Sequence, residues 1–319
     1  MALASGDRIE AIQRDLLRWF AENGRDLPWR QTRDPYAILV SEVMLQQTQV
    51  DRVIPYYRRF LERFPSVGEL AAAPTSEVIR IWSGLGYNRR AVNLQRAART
   101  IVDDFGGTFP SDPATLQQLP GVGAYTAGAI AAFAYEQDAA FFDTNMRRVI
   151  TRVLFGPDAV PESQVLEGAK MLLPTGKGWV WNQALIEFGA LQCTARNPAC
   201  IVCPLGEVCA ARPLMQGALR TRRSMSRPAQ SASYETSNRY YRGRVIEFLR
   251  TVPEYDETGI DLAHLGPRVR EGFSEADLPW LRCLISGLER DGLAVISEDS
   301  PTYDAETPSD QVGTRVRLP

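Results

Sequence analysis

Three groups of residues in this 319-residue chain have types and spacings that can do chemistry. The first is Cys193-x6-Cys200-x2-Cys203-x5-Cys209, four thiols in one closely wound loop. Four cysteines so close together argue for metal rather than disulfides. Zinc usually takes two well-separated C-x-x-C knuckles, so this spacing suits an iron–sulfur cluster on four thiolates better than zinc. The second is Glu42, a lone carboxylate in an apolar stretch. Glu42 has Ile38, Leu39 and Leu45 at helical spacing around it, which puts it on or beside an apolar face. A carboxylate desolvated there has its pKa raised and can donate a proton at neutral pH. A plain edge position, with the carboxylate reaching water or capping a neighbouring helix, is the other reading. The third group is Leu119-Pro120-Gly121-Val122-Gly123-Ala124-Tyr125-Thr126-Ala127-Gly128, followed by Phe141-Phe142-Asp143-Thr144-Asn145. Its pattern is a helix, a glycine hairpin and a second helix. The backbone N–H groups opening that second helix can hold a phosphate. A glycine turn with no ligand fits the same letters.

What the chain lacks narrows the chemistry further. His264 is its one histidine, and Lys170 and Lys177 are its only lysines. Neither a histidine base nor a Schiff-base amine therefore lies near residues 119–145 in sequence. Cys283, in a helical stretch elsewhere, reads as a core residue.

The elements that must position these groups read as helices throughout residues 1–210. Amphipathic or capped segments are expected at 7–22, from Asp34-Pro35 through Gln46, and at 51–63, 67–72, 75–83, 88–105 and 112–118. Further ones follow at 145–154, 161–173 and 179–191. Gly84-Leu85-Gly86 breaks the pattern before Tyr87, Asn88, Arg89 and Arg90. An aromatic beside arginines at such a turn can wedge into a base stack or pack on the core. Residues 211–237 carry Arg212, Arg220, Arg222, Arg223 and Arg227 with few large apolar residues, as in a solvated tether or a phosphate-tracking segment. After residue 238 the reading is helix 240–250, a short apolar element at 260–265, and a capping box Ser274-x-x-Asp277 opening a helix through Leu288. Strands are expected at 293–296 and 315–318. That order is a winged-helix pattern, a DNA-binding or protein-contact module.

Charge is uneven. The overall net is −2, but residues 231–319 carry −6 and residues 1–230 carry +4. A mildly basic body is compatible with nucleic acid, and the acidic tail is not the obvious DNA surface. No apolar run is long enough to span a bilayer, so no membrane association is expected, and a cytoplasmic, nucleoid-associated monomer is the expectation.

Together, the hairpin, the downstream Asp143 and the four-cysteine loop resemble the endonuclease III superfamily of DNA glycosylases. The run Ser41-Glu42-Val43-Met44-Leu45-Gln46-Gln47-Thr48-Gln49-Val50 resembles the signature of MutY-type adenine glycosylases. Gly84-Leu85-Gly86-Tyr87 and Trp181-Asn182-Gln183-Ala184-Leu185-Ile186-Glu187 match the same family. The resemblance implies a mainly α, two-lobed helix-hairpin-helix glycosylase with an iron–sulfur cluster loop and a small C-terminal winged-helix (α+β) domain. Residues 1–25 and 131–212 would form the cluster lobe and 26–130 a six-helix lobe with the hairpin. Residues 213–237 would be an Arg-rich linker and 238–319 the winged-helix-like domain.

Roles follow from the same resemblance. Glu42 would protonate a flipped adenine at N7, and Asp143 would stabilise or capture the cation left at C1′. Tyr125 and Asn145 would orient the two carboxyl groups. Leu27, Trp29, Arg30, Leu45, Val50 and Glu187 match positions lining the adenine pocket. Gln47, Thr48, Leu85 and Tyr87 match those that probe the opposite base and the gap in the stack. Gly121, Gly123 and Ala124 would hold a DNA phosphate, and Cys193, Cys200, Cys203 and Cys209 a [4Fe-4S] cluster. The implied partner is double-stranded DNA with adenine mispaired with 8-oxoguanine or guanine, with a protein contact through the tail domain as an added expectation. Bifunctional relatives carry Lys where Tyr125 stands, so a monofunctional enzyme is implied.

Two departures from the family pattern stand out: Thr144 replaces the usual glycine, and residues 238–319 look too short and too helical for the Nudix-like domain of many members. Removal of thymine or uracil from mispairs with guanine is the second enzymatic reading. A mispair-sensing iron–sulfur DNA-binding protein that does not cut is the third, and it would need neither Glu42 nor Asp143.

Overall fold

Apolar side chains recurring at i, i+4 and i+7 set the first helix, α1 (Gly6–Asn23), whose Ile12, Leu16 and Trp19 are buried. The computed structural model describes residues 5–215, 234–253, 258–298 and 314–319. It divides into two compact units: residues 1–42 with 109–227, and residues 43–108 with 228–319. The four-part division expected from sequence drew its boundaries elsewhere, at residues 25, 130, 212 and 237. Most of the expected linker, with Arg220, Arg222, Arg223 and Arg227, lies outside the described residues. No helix among the described residues is long and apolar enough to cross a membrane.

The first unit holds α1 and a 3-10 turn at Pro28–Arg30. Next comes the greater part of α2 (Pro35–Leu45), capped by the Asp34 carboxylate accepting from Tyr36 N at 3.0 Å. Two helices, α7 (Pro113–Leu116) and α8 (Ala124–Ala134), flank the hairpin, and α9 (Thr144–Leu154), α10 (Glu162–Leu172) and α11 (Gly178–Leu191) follow. Close approach is built from small residues. A Cβ on Gly128 of α8 would fall 2.7 Å from Phe141, and one on Gly168 of α10 would fall 2.8 Å from Leu154. Gly189 of α11 does the same against the Asn145 carbonyl at 2.9 Å, so α11 seats the start of α9. The edge-on pair Trp19 and Phe188, 5.0 Å between centroids, ties α1 to α11. Each such fully buried side chain stabilises the unit by roughly 1.5–3 kcal/mol.

The second unit holds α3 (Val50–Arg63), α4 (Val67–Ala72), α5 (Thr75–Ile81) and α6 (Arg89–Phe105), with Gly106 at φ 60° ending α6 in the left-handed conformation. The C-terminal residues add α12 (Asn238–Leu249), α13 (Leu262–Val269) and α14 (Leu278–Arg290). They also form a three-stranded antiparallel sheet of β1 (Ile260–Asp261), β2 (Val295–Glu298) and β3 (Thr314–Arg317) in the order β1-β3-β2. Val316 at its centre pairs with Ile260 on one side and Ile296 on the other.

The expected apolar element at 260–265 is in fact two elements. Asp261 ends β1 and caps α13 by accepting from Ala263 N at 2.7 Å, so the chain turns from strand to helix within one residue. Cys283 is also a correction: it lies exposed on α14, not in the core. The C-terminal residues share their core with α5 and α6. Val245, Ile246, Leu265, Leu281, Ile285 and Val316 are buried together with Ile79 of α5 and Val92 of α6. Arginines seal that contact: Arg80 donates to the carbonyls of Arg250 and Val252, and Arg250 donates back to Ile79 O and Asn88 Oδ1.

Candidate active site

Glu42 lies on α2 at 6% exposure, among Ile38, Leu39 and Val43, all buried. Burial pushes its carboxyl up to about 7; the nearby Asp143 charge adds to this, while a hydrogen bond from Tyr125 and the Arg30 charge work against it. Near neutral pH this group is therefore a carboxylic acid about as often as a carboxylate. Tyr125, in the first turn of α8, is the hydrogen-bond partner, and burial beside two carboxylates raises its phenol well above the usual range. Its ring packs edge-on against Phe141 at 5.4 Å, the residue for which Gly128 makes room.

Asp143 is the N-cap of α9. One carboxylate oxygen accepts from Asn145 N at 2.9 Å and Met146 N at 2.7 Å, and the other from Asn145 Nδ2 at 3.0 Å. Three hydrogen bonds and the positive end of a helix fix the carboxylate in place. Asn145 is held in turn by Arg148, whose Nη2 donates to Asn145 Oδ1 at 2.9 Å and whose Nε donates to the Cys193 carbonyl at 2.7 Å. A continuous chain of contacts thus runs from the first cysteine to Asp143. Thr144 is exposed, so its β-branched side chain sits at the rim rather than inside. The site therefore offers a neutral acid and a fixed anion side by side, the pairing that departure of a leaving group from a cationic carbon requires.

Arg30 and Glu187 lie beside the acid in a buried ion network. Glu187, wholly buried, accepts from Arg25 Nε at 2.7 Å, Arg25 Nη2 at 2.9 Å and Arg30 Nη2 at 3.0 Å. Burial pushes the Glu187 carboxyl up, but the hydrogen bonds and charges of both arginines outweigh it and hold it below the usual range. Arg30 also donates to Gln183 Oε1 at 2.8 Å. Leu27 and Trp29 are buried in the same unit. Replacing Glu187 with Gln leaves two arginines without their counter-charge, and such a broken buried pair is expected to cost about 3 kcal/mol. A lowered urea midpoint at pH 7 checks this; an unchanged midpoint contradicts it. Because the Glu187 pKa is depressed, the stabilisation is present above the ordinary carboxylate range and is lost as pH falls through the folded-state value.

At the hairpin, Gly121 has φ 78°, which favours glycine, and Gly123 caps α8 with extended backbone and no side-chain partner. A Cβ on Gly123 would meet nothing within 4 Å, so the fold does not demand a glycine there. The hairpin's N–H groups and Ala124 open α8 on an exposed edge.

In the second unit, Leu45, Gln47, Thr48 and Val50 follow Glu42 in the chain, and Leu85 and Tyr87 sit on the glycine turn. Gln47 and Tyr87 both hold left-handed backbone, φ 56° and 48°. Arg90 knits these turns together. Its Nη1 donates to the carbonyls of Val43, Met44 and Gln46 at 2.7–2.8 Å, and its Nη2 donates to Thr48 Oγ1 and Gly86 O at 3.2 Å. Burial lowers its pKa to about 10. Arg25, Arg90 and Arg148 are the residues that sequence reasoning missed as supports. Arg148 lies three residues after Asn145 on α9, a spacing that could have flagged it.

The four cysteines all line one cavity, with Arg152, Phe188 and Leu205 among its walls. Burial raises the Cys200, Cys203 and Cys209 thiols, with neighbouring cysteines adding to it. Among the described residues no three His, Cys, Asp or Glu side chains are placed to hold a single metal ion, whereas four thiols around a shared cavity suit a cluster. Arg152 Nη1 lies 3.4 Å from Cys193 Sγ, a donor toward ligand sulfur.

Comparison with known proteins agrees with this geometry. The model of the HhH-GPD superfamily base excision DNA repair proteins matches residues 40–174, and that of the iron-sulfur binding domain of endonuclease III matches residues 193–209. The four cysteines are thus the ligands of a [4Fe-4S] cluster loop. The adenine DNA glycosylase of Mycolicibacterium smegmatis is 41% identical over 239 residues, which cover 74% of this chain and 79% of that one. The chain belongs to the MutY-type adenine DNA glycosylase family. The family's Rattus norvegicus member is 43% identical over 216 residues, 64% of this chain and 42% of its own, so this chain spans about two-fifths of that relative's length. The solved structure of a thermostable thymine-DNA glycosylase superposes with TM-score 0.62 at 31% identity, covering 65% of this chain and 98% of that one.

Proposed function

We propose that this member of the family is a monofunctional DNA glycosylase of base excision repair, excising adenine mispaired with 8-oxoguanine or guanine. The observation that carries the reading is the buried Glu42 with its pKa near 7, hydrogen-bonded to Tyr125 and next to Asp143. Adenine extruded from the duplex receives the Glu42 proton at N7 as the N-glycosidic bond breaks and its electron pair leaves with the base. Asp143 stabilises or captures the cation at C1′, and water completes hydrolysis to an abasic site. Tyr125 and Asn145 position the two carboxyl groups. Leu27, Trp29, Arg30, Leu45, Val50 and Glu187 shape the base pocket, with Arg30 and Glu187 acting through their ion pair. Gln47, Thr48, Leu85 and Tyr87 address the opposite base, and the N–H groups of Gly121, Gly123 and Ala124 grip a phosphate. Cys193, Cys200, Cys203 and Cys209 would hold the cluster, and Arg148, bonded to the Cys193 carbonyl, supports Asn145.

The test uses duplexes holding 8-oxoguanine:A, G:A, G:T and G:U, treated with wild type or Asp143→Asn and then with alkali. Breaks at the adenine position with wild type alone are expected. Breaks confined to G:T or G:U would reject adenine chemistry in favour of the pyrimidine reading. Monofunctionality has its own check, because Tyr125 is not an amine and Lys170 pairs with Glu167 at 3.0 Å on the surface. Borohydride added during turnover is expected to trap no protein–DNA adduct; a trapped adduct contradicts the assignment.

A further inference from the structure

Arg152, in the last turn of α9, reaches both ends of the four-cysteine loop. Its Nη1 donates to Thr194 O at 2.8 Å and its Nη2 to Ala195 O at 3.2 Å, bracing the first arm. Its backbone carbonyl accepts from Ala211 N at 2.9 Å, just past the last cysteine. Bracing needs no more than these bonds. The guanidinium nevertheless brings Nη1 to 3.4 Å from Cys193 Sγ, an N–H···S contact to a ligand sulfur. Arg148, one turn earlier, makes no such contact: its donors go to the Cys193 and Gly189 carbonyls and to Asn145 Oδ1. Among the described residues, the lining of the cysteine cavity includes Arg152 and Arg212 and no carboxylate. Arg212 Nη1 pairs with Glu207 at 2.9 Å, yet its Nε is buried with no partner among the described residues. An orphaned donor in a wall of thiols fits a cavity made for an acceptor, as cluster sulfur is. Four thiolates around a [4Fe-4S] core carry a net negative charge, and losing an electron makes that charge smaller. A cation and an N–H donor beside a ligand sulfur favour the more negative level.

We propose that Arg152 is a positioning residue that acts on the cluster through Cys193. Its charge and its contact to the ligand sulfur raise the reduction potential and slow loss of the cluster to one-electron oxidants. The inference concerns the cysteine loop alone and stands whichever base the enzyme releases.

The experiment is protein-film voltammetry on the loaded full chain, with iron content and the visible thiolate-to-iron absorbance read alongside. Arg152→Gln is expected to take up as much iron as wild type and to give up an electron more readily. The expected change is roughly tenfold in that equilibrium, the scale of one hydrogen bond to a charged group, or about 59 mV to lower potential. Ferricyanide, which takes the electron and becomes ferrocyanide with no proton moved, should bleach the variant's absorbance sooner than wild type's. Arg152→Lys keeps the charge and is expected to recover most of the shift. Arg196→Gln is the control: it removes an exposed cation of the same loop, which solvent screens, so its potential should match wild type's. An unchanged potential in Arg152→Gln overturns the proposal, as does a lysine variant as low as the glutamine one. A fall in Arg196→Gln equal to that in Arg152→Gln also overturns it, because overall charge rather than the Cys193 contact would be responsible. So does a glutamine variant that takes up no iron, since Arg152 would then build the loop and not tune the cluster.

Discussion

Glu42→Gln is expected to lower the single-turnover rate of adenine release by roughly 10²–10⁴-fold while making the protein more stable at alkaline pH. The activity loss follows because an amide cannot give a proton to the leaving base. The pH profile carries the sign. With the pKa near 7, the acid form dominates below neutrality, so the wild-type rate is expected to fall as pH rises through about 7. The residual rate of the variant is expected to lack that limb. The stability gain has the same origin. Burial raises the carboxyl from an ordinary 4.5 to about 7, so the folded state keeps a proton that the unfolded chain has already lost. That contribution is fully present below about pH 4.5 and is lost as pH rises through 7, a difference of about 3 kcal/mol. Glutamine does not titrate, so urea midpoints of wild type and variant should diverge between pH 5 and pH 8, with the variant higher at pH 8. Parallel midpoints across that range contradict a desolvated Glu42.

Asp143→Asn carries the second large effect and separates chemistry from fold. Asparagine caps helices about as well as aspartate, so the bonds to Asn145 N and Met146 N survive and the melting temperature is expected to hold. The negative charge does not survive. Removing a preorganised group that faces developing charge typically costs about 10²–10³ in rate, and here the charge it faces is a full cation. The variant should still bind a duplex whose adenosine carries a non-hydrolysable 2′-fluoro sugar with wild-type Kd. A melting temperature several degrees lower, or lost binding, would mean that Asp143 serves the fold of α9 rather than the reaction.

Much of this organisation was legible in the sequence because its signals are local. Helix periodicity placed α1, α3, α4 and α6 within a residue or two, since apolar spacing is written in adjacent letters. The apolar neighbours of Glu42 announced its burial for the same reason. The supports of the site were not legible, because they join residues far apart in the chain. Arg25 meets Glu187 across 162 positions, and Arg148 reaches the Cys193 carbonyl across 45. No period or motif pairs such residues before the helices have packed. The tail was legible in its elements but not in its docking. Helical spacing puts Leu281 and Ile285 on one face, yet nothing in it says that Ile79 and Val92 complete the core. The strand-to-helix switch at Asp261 was lost inside an apolar run too short to show its period.

Which base leaves decides between the adenine and the pyrimidine chemistry proposed for this pair of carboxyl groups. A single duplex carrying both an 8-oxoguanine:A pair and a G:T pair, incubated with wild type, reports it directly when the free bases are separated and weighed by mass spectrometry. Free adenine without thymine, from strands that stay intact until alkali is added, is the predicted result. Free thymine, or cleaved strands with no alkali, would contradict it.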